Sequence, residues 1–236
     1  MFINKMERRI PVITNYTNHT INSYGIILFA KKEKSWLIVQ RKHSYQFILI
    51  LKGVYRPTYI HIYCPKLHHR EIKCIYKILQ LGIPYLKKLY TKLQIPNIYL
   101  QSAMLFFADY SDIFLQVLPR CVGVELSWTF PKGRGEYYES NENTARREFS
   151  EETNLAIPDD MQYLTRNYLQ DQNDSLFNCS FVNNYKIACI PQETTLHLDA
   201  NNLEVANCIW IKDKELDKYN VFNNKKLLTT IRKYIQ

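Results

Sequence analysis

Gly133-Arg134-Gly135-Glu136-Tyr137-Tyr138-Glu139, resumed at Arg147-Glu148-Phe149-Ser150-Glu151-Glu152-Thr153-Asn154-Leu155, decides how the rest of the chain is read. The pattern predicts a loop feeding a short helix. Glu148, Glu151 and Glu152 stand at i, i+3 and i+4, so their carboxylates share one helical face. Like charges at that spacing destabilise a bare helix. A hard divalent cation, Mg²⁺ or Mn²⁺, removes the repulsion, because such ions take oxygen ligands. Ala145 and Phe149 lie i and i+4 on another face and are expected to pack inward. The bland alternative is a solvated acidic helix face.

Composition bounds the setting. The 236 residues suit one enlarged domain, or one domain carrying an insertion. An apolar share of 46% is enough for a real core, and 18 Tyr and 11 Phe make it aromatic-rich. The net charge of +9 and pI of 9.1 point toward a polyanionic partner. Cysteines at 64, 74, 121, 179, 189 and 208 form no C-x-x-C pair. They read as buried or reduced thiols, not as a zinc site or disulfide framework. Met1-Phe2-Ile3-Asn4-Lys5 lacks the apolar core of a signal peptide, and no apolar run approaches the roughly 20 residues of a membrane span. The expectation is a cytoplasmic protein with no membrane span, in which Asn15-Tyr16-Thr17 has no bearing on glycosylation.

Upstream of the acidic stretch, residues 1–20 are polar and irregular. Tyr24–Phe29 reads as a buried strand, Lys31–Lys34 as a turn and Trp36–Gln40 as the returning strand. Residues 45–122 then read as a helical insertion. Ile72, Ile75, Ile78 and Leu79 recur at helical spacing over Glu71–Leu81, which Gly82 and Pro84 end. Leu86, Leu89 and Leu93 mark a second helix from Pro84 to Leu93, and Ile98–Leu118 a third. Residues 51–100 hold nine basic residues and one acid, Glu71, a net +8. Lys66, Arg70, Lys73 and Lys77 recur every three or four residues as a stripe, and Lys87 and Lys88 follow on the next helix. Tyr55, Tyr59, Tyr63, His68, His69 and Tyr76 lie among them. Basic stripes beside stacking rings suit single-stranded nucleic acid. An ordinary lysine face over core tyrosines is the alternative.

Downstream, Gln162–Leu169 and Phe177–Ile190 read as strands, the latter with a possible hairpin at Asn183-Asn184. Asn207–Ile211 is a further strand, Lys212–Tyr219 a polar turn or short helix, and Asn223–Ile235 a terminal amphipathic helix.

Gly133, five residues, Glu139, seven residues, Arg147-Glu148, two residues and Glu151-Glu152 resembles the Nudix box, here residues 133–155. Asn154 stands where that family usually has Gly, and Asn is the next best residue for a left-handed helix end. Trp128-Thr129-Phe130-Pro131-Lys132-Gly133 resembles an element of eukaryotic mRNA-decapping enzymes. Val39-Gln40-Arg41-Lys42-His43-Ser44-Tyr45-Gln46-Phe47, the long insertion and the box together resemble the decapping Nudix proteins of large cytoplasmic DNA viruses. The African swine fever virus type is nearest and the poxvirus type more distant. The likeness runs from about Gly25 to Trp210. It implies an α/β fold, the Nudix α/β/α sandwich with a mixed sheet. Residues 1–44 and 123–236 would form that domain around the inserted helical subdomain.

The resemblance also implies an activity: hydrolysis of the 5′ cap of RNA to 7-methylguanosine diphosphate and 5′-monophosphate RNA, with Mg²⁺ or Mn²⁺. In a viral setting the location would be the host cytoplasm. Glu148, Glu151 and Glu152 would hold the metal. Glu151 or Glu152 would orient or deprotonate the attacking water, and the sequence does not separate them. Lys132 would place a point charge on a bridging phosphate. Arg147 is expected to brace the loop by pairing with Glu139, which is otherwise a peripheral metal ligand. Glu204 is a further ligand or base, or a solvated loop acid. Two alternatives stay open: diphosphoinositol polyphosphates or dinucleoside polyphosphates as substrate, or a non-catalytic RNA-binding protein.

Overall fold

The structure, a computed structural model, describes residues 19–53, 57–174, 179–197, 199, 202–219, 221 and 225–235. Its centre follows from one apolar run. In β1 (His19–Ala30), Ile26, Leu28 and Ala30 face one layer while Ile27 and Phe29 face the other, all buried. A strand apolar on both sides belongs inside a sheet covered on both faces. Lys31–Lys34 form the predicted turn, and β2 (Ser35–Arg41) returns antiparallel.

Helices α1 (Tyr45–Lys52), α2 (Ile60–Tyr63), α3 (His69–Leu81), α4 (Ile83–Lys92) and α5 (Leu100–Val117) follow. They bury Phe47, Tyr63, Ile75, Leu86, Tyr90, Phe106 and Phe114 in a cluster separate from the sheet's. The chain comes back beside the point where it left: the Arg41 amide donates to Ser127 O (3.2 Å) and the Val124 amide to Leu67 O (2.9 Å).

Next come β3 (Trp128–Thr129), β4 (Lys132–Gly133), α6 (Asn141–Thr153), β5 (Gln162–Tyr163), β6 (Leu169–Asp174), β7 (Cys179–Ile190), β8 (Val205–Lys212) and α7 (Lys225–Arg232). The eight strands make one mixed sheet: β1 and β7 are parallel, while β2–β8, β2–β3, β1–β4, β6–β7 and β5–β7 are antiparallel. α6 covers one face through Ala145 and Phe149, and α7 the other through Leu227, Leu228 and Ile231. This is the expected α/β/α sandwich.

Three expectations change. Asn183 and Asn184 lie inside one continuous β7, because β1 pairs with it in register along its whole length and leaves no room for a hairpin turn. Gln162–Leu169 is broken: Thr165 is buried with its hydroxyl accepting from the Ile187 amide (3.0 Å), so the chain bends between β5 and β6. The terminal helix is shorter than Asn223–Ile235, and Asn223 lies outside the described residues. Of the polar start, residues 1–18 lie outside them as well, while His19 and Thr20 already belong to β1. Among the described residues no helix is long and apolar enough to cross a membrane.

Candidate active site

Local chemistry places α6. Ser140 caps its start, accepting from the Asn143 amide (3.2 Å), and Glu142 sits in the first turn, where the helix dipole favours an anion. Asn154 closes it in the left-handed conformation (φ 56°, ψ 25°), as read from the sequence. The helix meets the sheet where β4 crosses β1, and two glycines make that crossing possible. A Cβ on Gly25 would run into Pro131 O, and a Cβ on Gly133 would occupy the place of the Glu148 carboxylate. Gly133 therefore provides space; its backbone needs no unusual φ.

The three carboxylates of α6 have different surroundings. Glu152 is buried at 3% exposure, and its Oε2 accepts from the Lys132 amide (2.8 Å). Burial pushes its carboxyl up to about 7, against the pull of Lys132 and Arg41. Lys132 is pushed down to about 8, first by burial and then by Arg41, with Glu152, Asp171 and Glu148 opposing. Glu148 is half-buried and raised, again chiefly by burial; Arg147 lowers it, while Glu151 and Glu204 add to the rise. Glu151 faces solvent with its side chain 59% exposed.

Arg147 joins them. Its Nε and Nη2 hold the two Glu139 oxygens at 3.0 Å each. Its Nη1 donates to Glu148 Oε1 (2.9 Å) and Glu151 Oε2 (2.8 Å), and Nη2 also donates to Arg134 O (3.0 Å). The Glu136 amide and the Thr144 hydroxyl complete the Glu139 shell, at 3.1 and 2.9 Å. The Arg147 bonds, first among these, hold Glu139 down at about 2. The brace expected between Arg147 and Glu139 is present.

Among the described residues, no three acidic, His or Cys side chains stand arranged to hold a metal. Arg147 supplies the reason: one guanidinium nitrogen already bridges oxygens of Glu148 and Glu151. That nitrogen is a cation sitting between carboxylates. The donors around it are all oxygens, the set a hard divalent ion takes. The residues present fit Mg²⁺ or Mn²⁺.

Glu204 lies at the start of the β8 approach, exposed, yet its charge is felt at Glu148. Asn202 ties this loop to the helix, donating to Glu151 O (2.8 Å) and accepting from the Glu204 amide (2.9 Å). Sequence reasoning missed Arg41, Asp171 and Thr144 as parts of the site. Asp171 is 1% exposed on β6, and its charge reaches Lys132 and Tyr185. No motif marks it; an acid inside a polar strand was the one signal available.

Lys66, Arg70, Lys73, Lys77, Lys87 and Lys88 are all exposed, on α3, α4 and the turn before α3. The rings read as their neighbours mostly turn inward. Tyr63 and His68 are buried, Tyr59 stacks on Tyr63 (6.0 Å), and Tyr76 packs on the helical core. His68 caps α3. His69 remains exposed, and Tyr55 lies outside the described residues. Trp128 packs half-buried on the sheet's core, its ring edge-on to Tyr219 at 5.4 Å.

Comparison with known proteins adds to this geometry. A NUDIX domain model matches residues 110–231, a little over half of the 236-residue chain. No curated protein sequence matches it. Among solved structures, an Ap4A hydrolase from C. elegans is similar at 13% identity, over 91% of this chain and 94% of that one, with TM-score 0.46. The NUDIX domain of Shewanella oneidensis NrtR, complexed with ADP ribose, is similar at 12% identity over 95% and 96%, with TM-score 0.47. A bifunctional NMN adenylyltransferase/ADP ribose pyrophosphatase from Francisella tularensis is similar at 10% identity over 95% and 44%, with TM-score 0.47.

Proposed function

This chain belongs to the NUDIX domain family and is a phosphoanhydride hydrolase, and from that premise we propose that it removes the 5′ cap of messenger RNA in the cytoplasm. The products would be 7-methylguanosine diphosphate and 5′-monophosphate RNA. One observation carries the substrate assignment: the catalytic sheet bears a second, helical body whose Lys66, Arg70, Lys73, Lys77, Lys87 and Lys88 all face solvent. A compact nucleotide needs no such extended cationic surface, whereas a phosphodiester strand is drawn to one.

Glu148, Glu151 and Glu152 would hold the Mg²⁺ or Mn²⁺, with Glu139 and Glu204 at the margin. When bound, the cation neutralises phosphate oxygens and lowers the pKa of its water. Glu152, a carboxyl near 7 fixed by the Lys132 amide, is matched to accepting a proton at neutral pH, and we assign it the base role over the exposed Glu151. Lys132 sits beside it to meet a bridging phosphate. Glu148 and Glu151 would turn from Arg147 Nη1 toward the cation, while Nε and Nη2 stay on Glu139 and keep the loop in place. Catalysis of this kind is mainly positioning and charge stabilisation.

A second reading has its own support. Arg41 and Lys132 both act on the buried Glu152 of the box, a pairing of cations that suits the dense phosphates of diphosphoinositol polyphosphates. The test is a side-by-side rate measurement with Mg²⁺ and Mn²⁺ on cap-labelled RNA, a diphosphoinositol polyphosphate and a dinucleoside polyphosphate. Decapping is expected to give the highest kcat/KM. Turnover of either small substrate alone overturns the RNA assignment.

A further inference from the structure

Glu204 is an exposed acid immediately before the first residue of β8. A side chain in such a place usually rides on a loose loop. Here the backbone on both sides of it is fixed. The Glu204 amide donates to Asn202 Oδ1 (2.9 Å), and the Val205 amide donates to the same oxygen (2.8 Å). The Glu204 carbonyl accepts from the Lys42 amide (2.7 Å), and Lys42 Nζ donates to Asn202 O (2.8 Å). Lys42, the residue after β2, therefore holds the loop twice, once through its main chain and once through its side chain.

The other hold is on α6. Asn202 Nδ2 donates to Glu151 O (2.8 Å), a carbonyl of the last turn, where a helix has no internal donor to offer. Asn154, the left-handed end of the same helix, donates to His197 O in the same loop (2.8 Å). One carboxamide, that of Asn202, thus joins the backbone of Glu204 to the backbone of Glu151. The Lys42 side of the clamp is fixed as well. Ser44, two residues further on, donates through its amide (2.6 Å) and its hydroxyl (2.7 Å) to the buried Glu71. A loop that only closed over the end of α6 would need no acid at its most tightly held residue. Holding Glu204 where its charge reaches Glu148 sets like charges against each other, a cost that a bound divalent cation reverses.

We infer that Asn202 and Lys42 are positioning residues for the hydrolysis, holding Glu204 at the margin of the box so that its carboxylate joins Glu148 and Glu151 as an oxygen donor to the cation. The inference rests on the metal reading of the box given above and is independent of which diphosphate is cleaved.

The test is Mn²⁺ binding to the full chain without substrate, read by electron paramagnetic resonance, so that it needs no turnover. N202A and E204Q are each expected to weaken Mn²⁺ about tenfold, the low end of what loss of a group supporting a metal ligand costs. The double variant N202A/E204Q should bind no more weakly than E204Q alone, because Asn202 acts through Glu204. K42M should lose less, and K42R should restore wild-type affinity. A merely structural role would lower the melting temperature of N202A and leave the affinity of the folded chain untouched. Wild-type affinity in N202A and K42M, with binding lost in E148Q/E152Q, overturns the inference and spares the metal reading. A loss in N202A that adds in full to that of E204Q overturns it too. Unchanged binding in E148Q/E152Q removes the metal reading itself. If N202A does not fold, K42M and K42M/E204Q carry the same comparison.

Discussion

The catalytic sheet and the helical body carry charge in opposite ways. Around α6 the charged groups are matched and, Glu151 apart, at least half-buried: Arg147 serves Glu139, Glu148 and Glu151, while Glu152, Lys132, Arg41 and Asp171 share an interior cluster. On α3 and α4 the lysines and arginines stand in solvent, and the one acid between residues 51 and 100, Glu71, is 2% exposed. Burial alone would push the Glu71 carboxyl up, but bonds from His43, Ser44 and His68 win and hold it down. It accepts from the Ser44 amide (2.6 Å), the Ser44 hydroxyl (2.7 Å) and the His68 amide (2.9 Å), so it fastens two helix N-termini and leaves the basic surface undiminished. The lesson is that matched, buried charge acts through geometry, and an error of an ångström ruins it. Exposed, unmatched charge acts through its field, and single residues count for little.

That contrast is broken or sharpened by substitution. The largest effect is expected for E152Q, with kcat/KM falling by about a thousandfold or more. Its melting temperature should match or exceed that of the wild type, because a buried charge is removed while the Lys132 amide keeps an acceptor. Steady-state kinetics beside calorimetry checks both. G133A comes next: the new methyl displaces the Glu148 carboxylate, and kcat should drop by about a hundredfold with a small change in stability.

The pH response follows. Glu152 titrates near 7 in the folded chain and near its ordinary value of 4.5 when unfolded. Between those values the folded form binds more protons, so this group makes stability fall as pH rises from 4.5 to 7, by on the order of 2 kcal/mol. Denaturation midpoints across that range should show the decline in the wild type and lose it in E152Q. The smallest effect per residue belongs to the helical body. Neutralising Lys66, Arg70, Lys73 and Lys77 to Ala should raise KM for long capped RNA about tenfold and leave dinucleotide substrates and stability unchanged. An equal loss on short substrates would mean that the two bodies do not divide the work in this way.

Much of the sheet was legible because its signal is local. Tyr24–Phe29 and Trp36–Gln40 are apolar runs bounded by a charged turn, and Ala145, Phe149 and Asn154 give the α6 packing face and its end. The three longer helices between β2 and β3 were legible from periodicity and from Gly82, Pro84 and Pro96. What failed needed knowledge of partners. Asn183-Asn184 looks like a turn until β1 is seen to pair along all of β7. Tyr63 and Tyr76 look like a stacking surface until the helical core is seen to bury the first and take the second against its side. Asp171 and Arg41 reach the site from strands far apart in sequence, which no spacing rule can register. Equal spacing on α6 likewise hid the difference between a buried Glu152 and an exposed Glu151.

Manganese binding followed by electron paramagnetic resonance tests the division most directly. Titrations would compare the wild type, the E148Q/E152Q pair and the variant with Lys66, Arg70, Lys73 and Lys77 neutralised. The account predicts that the first and third chains bind Mn²⁺ alike and that E148Q/E152Q loses it. Unchanged binding in E148Q/E152Q would contradict it.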